Sequence, residues 1–153
     1  MPLRKQNLEN LEREKEAFVL ARKLIGDKFL IPTKSQKIRL YDISGIDYKK
    51  YSRTIDGIIL RNVKDFDSIK TTKDFYFLEI KATKDEKVKE LPYGVFFGFT
   101  ENEENLLKTH SNYRLCIIHV ILEKHYIMDY NEYASLISSK RTQYQVNFRS
   151  NKG

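Results

Sequence analysis

Apolar side chains along residues 5–25, KQNLENLEREKEAFVLARKLI, recur at the spacing of one helix face. At 3.6 residues per turn Leu11, Ala17, Phe18, Ala21, Leu24 and Ile25 fall on one stripe, and Gly26 is placed to end the helix. Glu14 lies near the middle of that stripe, where a carboxylate without a partner is costly. The period then shortens. Residues 28–32 and 37–43 are β-prone runs around a turn-like Thr33-Lys34-Ser35, with Ile38, Leu40 and Asp42 alternating against Arg39, Tyr41 and Ile43. Residues 55–60 and 75–81 are stronger β runs joined by a polar loop. Further on, 112–122 predicts a long buried strand and 123–128 a short one, with Glu123-Lys124 at the turn between them. Thr100 with Glu103, and Asp129 with Glu132, carry the spacing of capping boxes, so helices are expected from Glu101 and from Asp129 to about Ile137. In the polar, basic tail 138–153, Tyr144, Val146 and Phe148 alternate as an edge strand would.

The two central runs carry the candidate chemistry. Strand alternation points Phe77, Glu79 and Lys81 to one face and Tyr76, Leu78 and Ile80 to the other. If the runs pair, Asp56 approaches Glu79 within the span of one divalent cation. Two carboxylates with positions left for water and phosphate suit Mg²⁺, and Lys81 could hold the attacking water and balance charge at phosphorus. The plainer alternative is a cross-strand salt bridge in a structural or interaction protein.

The pattern Asp56…Glu79-Ile80-Lys81 resembles the D…(D/E)xK signature of the PD-(D/E)XK, or restriction-endonuclease-like, nuclease superfamily. Thr54-Ile55 stands before Asp56 where the superfamily name has a proline. The succession of an E-x-K strand, an aromatic-Gly segment, a T-x-N-E helix start and the tyrosine-led apolar run 113–118 extends the resemblance from about Glu14 to Val120. The resemblance implies an α/β fold with a central mixed sheet flanked by helices, an active site at the sheet edge, and Mg²⁺-dependent phosphodiester hydrolysis. It implies Asp56 and Glu79 as metal ligands with the Ile80 carbonyl, Mn²⁺ as a substitute, and Lys81 as the residue that positions water. The superfamily's helix pattern E-x-x-A-x-x-x-(L/A) selects Glu14, followed by Ala17 and Ala21, as a fourth site residue, with Glu16 as fallback. It also implies DNA ahead of RNA as substrate, a restriction-enzyme or resolvase type of endonuclease, and a homodimer. The Q-x-x-x-Y element of RecB-like members is missing. A nucleic-acid-binding module on the same fold, without cleavage, is the alternative.

Composition sharpens this reading modestly. A chain of 153 residues suits one domain, able to bury about two-thirds of its unfolded surface without staples. The net charge is +7, spread as +6 over residues 1–53, −2 over 54–111 and +3 over 112–153. An acidic middle between basic flanks is what a metal site in a polyanion-binding surface needs. Lys49, Lys50 and Arg53, ahead of Asp56, and Lys84 and Lys87, after Lys81, are candidate phosphate contacts. The glutamates at 101–104 are explained by capping and the helix dipole.

Other chemistries are not supported. The single Cys116 sits in an apolar run and is expected in the core, in keeping with a reducing cytoplasm. His110, His119 and His125 share no zinc-like spacing, and His119 is expected as a satisfied core histidine. No P-loop or G-x-G-x-x-G is present, so no nucleotide cofactor is expected. Residues 17–31 are broken by Arg22, Lys23, Asp27 and Lys28, so neither a signal peptide nor a membrane span is expected.

Overall fold

Side chains buried on both faces of residues 75–83 make this segment the centre of a sheet. The computed structural model describes residues 2–142, 144 and 146–151, with side chains described from Leu11 onward. Helix α1 (Pro2–Ile25) ends at Gly26, which takes the left-handed conformation that favours glycine, at φ 89°. Strand β1 (Phe29–Leu30) follows, then helices α2 (Lys34–Ser44) and α3 (Tyr48–Tyr51). Strands β2 (Gly57–Leu60) and β3 (Phe75–Thr83) are joined by a connection with two 3₁₀ turns. Helix α4 (Glu101–Thr109), strands β4 (Tyr113–His119) and β5 (Lys124–Met128) and helix α5 (Tyr130–Leu136) complete the order.

The five strands form one mixed sheet in the order β1-β2-β3-β4-β5. Neighbours are antiparallel except β3 and β4, which run parallel through a crossover that contains α4. The chain is thus α/β, with helices on both sheet faces. On one side Ala17, Leu20 and Ala21 of α1 bury against Phe29, Leu78, Cys116 and Ile118. On the other, Leu40, Tyr41, Tyr51, Leu106, Leu107 and Tyr133 pack with Phe75, Phe77, Tyr113, Leu115 and Ile117. Among the described residues no helix is long and apolar enough to cross a membrane.

Residues 37–43 are helical, against the expected strand. Thr33 caps α2 by accepting from the Gln36 N–H, Gln36 reciprocates to the Thr33 N–H, and Gly45 closes the other end at φ 66°. The caps and the burial of the adjacent pair Leu40 and Tyr41 outweigh the local alternation. The strand expected over 28–32 shrinks to two residues. Both expected capping sites are present at Thr100 and Asp129, although Glu132 turns its carboxylate to the Tyr126 hydroxyl. The alternating Tyr144, Val146 and Phe148 are exposed and outside any strand; Gln143 and Gln145 lie outside the described residues.

Candidate active site

β2 stops beside β3 at the pair Gly57–Leu78, and the side chain of Asp56 continues where the ladder ends. Its N–H donates to the Leu78 carbonyl at 2.8 Å, and its Oδ2 accepts from the Ile80 N–H at 2.8 Å. A strand residue points its N–H and C=O to the same neighbour, so the Ile80 carbonyl faces the same side as Asp56. The site is therefore not at an edge of the sheet, as expected, but between two interior strands where one runs out. Gly57 allows the close approach behind it: a Cβ there would lie 2.5 Å from the Phe29 ring.

Glu79 and Lys81 share the sheet face of Phe75 and Phe77. Lys81 Nζ lies 3.3 Å from Glu79 Oε1 and 3.1 Å from Glu103 Oε1. Glu103 comes from the first turn of α4, where its Oε1 also accepts from the Thr100 N–H at 2.9 Å. A capping carboxylate thus doubles as the third acid of the cluster. The capping spacing explained Glu103 fully in the sequence, and so concealed its second role. Lys37 of α2 is a second residue the sequence missed, hidden in the supposed strand. Its Nζ donates to the Ser52 carbonyl at 2.8 Å, within the fields of Asp56 and Glu79.

Burial dominates the electrostatics. Glu79 is only 5% exposed, and no hydrogen-bond donor reaches its Oε2. Burial, contact with Glu103 and the charge of Asp56 together push its carboxyl up to about 11. Asp56 is also raised, by burial against the pull of the Ile80 N–H. Glu103 goes the other way: burial opposes ionisation, but Glu79, the Thr100 N–H and Lys81 outweigh it. Burial works against the Lys81 ammonium, yet Glu79 and Glu103 raise it, so it stays charged. Tyr41 and Tyr113 wall the cluster; burial raises both hydroxyls, with Glu79 adding to it, and both bond to the 51–54 turn.

This environment favours a protonated Glu79 beside an ionised Glu103 in the metal-free protein, and a cation would take the place of that proton. The donor set, two carboxylates and a main-chain carbonyl, consists of hard oxygen ligands suited to Mg²⁺. The unpartnered Glu79 Oε2 is the atom a cation would satisfy. Among the described residues no group of three or more His, Cys, Asp and Glu side chains is disposed to hold a metal ion.

The structure brings Asp56, Glu79, Ile80 and Lys81 together, and leaves Glu14 apart. α1 covers the face of Leu78 and Ile80, opposite Glu79 and Lys81, and Glu14 is exposed. Its place on the apolar stripe misleads because a helix of 24 residues, about 36 Å long, overshoots strands of at most nine. Leu11, on the same stripe, is likewise 53% exposed. Glu16 is also exposed and pairs with Lys84 at 3.1 Å.

Of the candidate phosphate contacts, Lys49, Lys50, Arg53, Lys84 and Lys87 are all exposed. Lys49 and Lys50 lie in α3, whose Lys50 carbonyl accepts from Asn102 Nδ2 at 3.3 Å, next to Glu103. Cys116 is buried, and burial pushes its thiol up to about 12. His119 is a satisfied core histidine, accepting from the Leu122 N–H and donating to the Asp85 carbonyl. Two shallow concavities, near His125 and near Val19, are lined by none of the cluster residues. Comparison with protein-family models, curated proteins and solved structures found no match to this chain.

Proposed function

We propose that this chain is a Mg²⁺-dependent nuclease on a restriction-endonuclease-like core, a DNA endonuclease that hydrolyses phosphodiester bonds. The observation that carries the proposal is the meeting of Asp56, tied to the Ile80 N–H, with the buried and half-unpartnered Glu79 and the charged Lys81. A salt bridge kept for stability has no use for a second carboxylate that burial and repulsion hold neutral. A cation site does, because a cation removes the repulsion.

Asp56 and Glu79 would hold Mg²⁺, or Mn²⁺ in its place, with the Ile80 carbonyl as a third oxygen. The ion, when bound, supplies a Lewis acid toward a phosphoryl oxygen and a more acidic water. Lys81 keeps its proton and offers an ammonium to the attacking water and to the charge that develops at phosphorus. Glu103 fixes the Lys81 ammonium beside Glu79, and the proton that Glu79 gives up on binding the cation leaves to solvent, because Glu103 is held ionised. Lys49, Lys50 and Arg53 supply positive charge for the phosphate backbone on the α3 side. The homodimer that such endonucleases often use is part of this proposal.

One observation favours the second reading, a binding module without cleavage: Lys81 is already held by two carboxylates. The test is incubation of supercoiled plasmid, single-stranded DNA and RNA with Mg²⁺, Mn²⁺ or EDTA, for wild type and Glu79→Gln. Cutting that needs metal and Glu79 supports the nuclease; salt-sensitive binding without cutting supports the module.

A further inference from the structure

Between β3 and α4 the chain runs through Tyr93-Gly94-Val95-Phe96-Phe97-Gly98-Phe99. Its side chains alternate. Val95, Phe97 and Phe99 pack onto the core, with Phe97 and Phe99 edge to face at 5.7 Å and Phe99 against Tyr133 at 5.4 Å. Phe96 faces outward and is 81% exposed, and Tyr93 is 61% exposed. An exposed phenylalanine on an anchored segment costs solubility and contributes nothing to the core.

Three features say what would cover Phe96. Gly94 and Gly98 flank it at two residues on either side, and a Cβ at either would meet nothing within 4 Å, so a flat group can approach its ring. Phe99, whose ring centroid lies 5.7 Å from Lys81 Nζ, is three residues on, a reach of at most about 10 Å. Exposed Lys49 and Lys50 of α3 adjoin α4 through the Asn102 to Lys50 bond, one residue before Glu103. An exposed aromatic ring and a cationic helix are thus each tied by a short stretch of chain to the candidate hydrolytic centre, in a chain of net charge +7. Bases of a duplex hide their faces in the stack; only unpaired bases present one to an aromatic ring.

We propose that Phe96, assisted by Tyr93, is a stacking platform for unpaired bases, so that the preferred substrate is a single-stranded or locally opened DNA strand. This deepens the nuclease reading and rests on it for the role of the site, but binding can be measured without cleavage. The chain contains no tryptophan. Phe96→Trp therefore places one tryptophan at this position, and its emission reports that position alone.

The experiment titrates an oligo(dT) and a blunt duplex of the same length into wild type, Phe96→Ala and Phe96→Trp, in EDTA at low salt. Stacking predicts that oligo(dT) quenches the Phe96→Trp emission. It also predicts that Phe96→Ala weakens oligo(dT) binding by about 5- to 150-fold, the worth of one stacked base, and changes duplex binding little. Wild-type melting in Phe96→Ala confirms that the fold is intact. Unchanged emission, oligo(dT) binding by Phe96→Ala within about twofold of wild type, or equal loss for the duplex overturns the proposal. Protein that captures another protein and no DNA overturns it as well. Intact stacking in a chain that cuts nothing leaves this inference standing and removes the nuclease.

Discussion

The Ile80 N–H donates to Asp56 Oδ2 across 24 residues of sequence, 2.8 Å apart, where β2 no longer supplies a backbone acceptor. Asp56 therefore has a structural duty as well as a proposed metal-binding one, and two substitutions separate them. Asp56→Asn retains an oxygen that can accept from Ile80; Asp56→Ala does not. Denaturant unfolding in EDTA is expected to find Asp56→Ala less stable than Asp56→Asn by about 1–3 kcal/mol, the cost of an orphaned buried donor. Both variants should lose any rise in melting temperature that Mg²⁺ gives the wild type.

The raised Glu79 carboxyl makes stability depend on pH with a definite sign. From its ordinary value of 4.5 up to about 11 the folded, metal-free chain holds a proton at Glu79 that the unfolded chain has released. The contribution is therefore complete below 4.5 and declines as pH rises, by at most about 1.4 kcal/mol per unit. The raised Asp56 acts in the same direction; the lowered Glu103 acts oppositely, its contribution lost as pH falls. Melting curves in EDTA should show stability falling between about pH 6 and about pH 9, and Glu79→Gln should flatten that slope.

Metal binding must displace the Glu79 proton. The rise in melting temperature at a fixed Mg²⁺ concentration is therefore expected to grow with pH over the same window and to vanish in Glu79→Gln. A rise independent of pH would place the cation elsewhere.

Glu103 joins the helix cap to Lys81. Glu103→Ala removes the reciprocal cap to the Thr100 N–H and the ionised partner of the half-buried Lys81 ammonium. Chemical denaturation should show a loss of about 2–3 kcal/mol, and Glu103→Gln, which can keep the cap, a smaller one. If the two variants lose equally, the Lys81 contact and not the cap carries the effect.

Gly57 sits against Phe29 with no room for a methyl group. Gly57→Ala should destabilise by about 1–3 kcal/mol through overpacking, and it should weaken Mg²⁺ binding because the shift displaces the neighbouring Asp56. The paired readout is the melting temperature with and without metal.

The sequence made some of this legible because local and tertiary signals agree. In residues 75–81 strand alternation and burial coincide, so alternation alone puts Glu79 and Lys81 on one face, and the apolar stripe ending at Gly26 marks α1. Agreement failed at residues 37–43, where a two-residue alternation competes with Thr33–Gln36 and Gly45 caps. Missing that helix also concealed Lys37. Glu14 misled because periodicity describes a helix face but not where the sheet beneath it ends. The Thr100–Glu103 spacing marks Glu103 as a cap, and nothing local adds that Lys81 reaches it from 22 residues away.

The most direct test of the proposed chemistry is Mg²⁺-dependent cleavage of supercoiled plasmid by wild type and Lys81→Ala prepared side by side. Wild type should give nicked and linear products, with none in EDTA, and Lys81→Ala should cut at least about 10²-fold more slowly, the scale of losing a single charge-stabilising group. The variant should still bind DNA and still show a Mg²⁺-dependent rise in melting temperature. Equal cutting by the two proteins, or none by either across Mg²⁺ and Mn²⁺, would contradict the proposed chemistry.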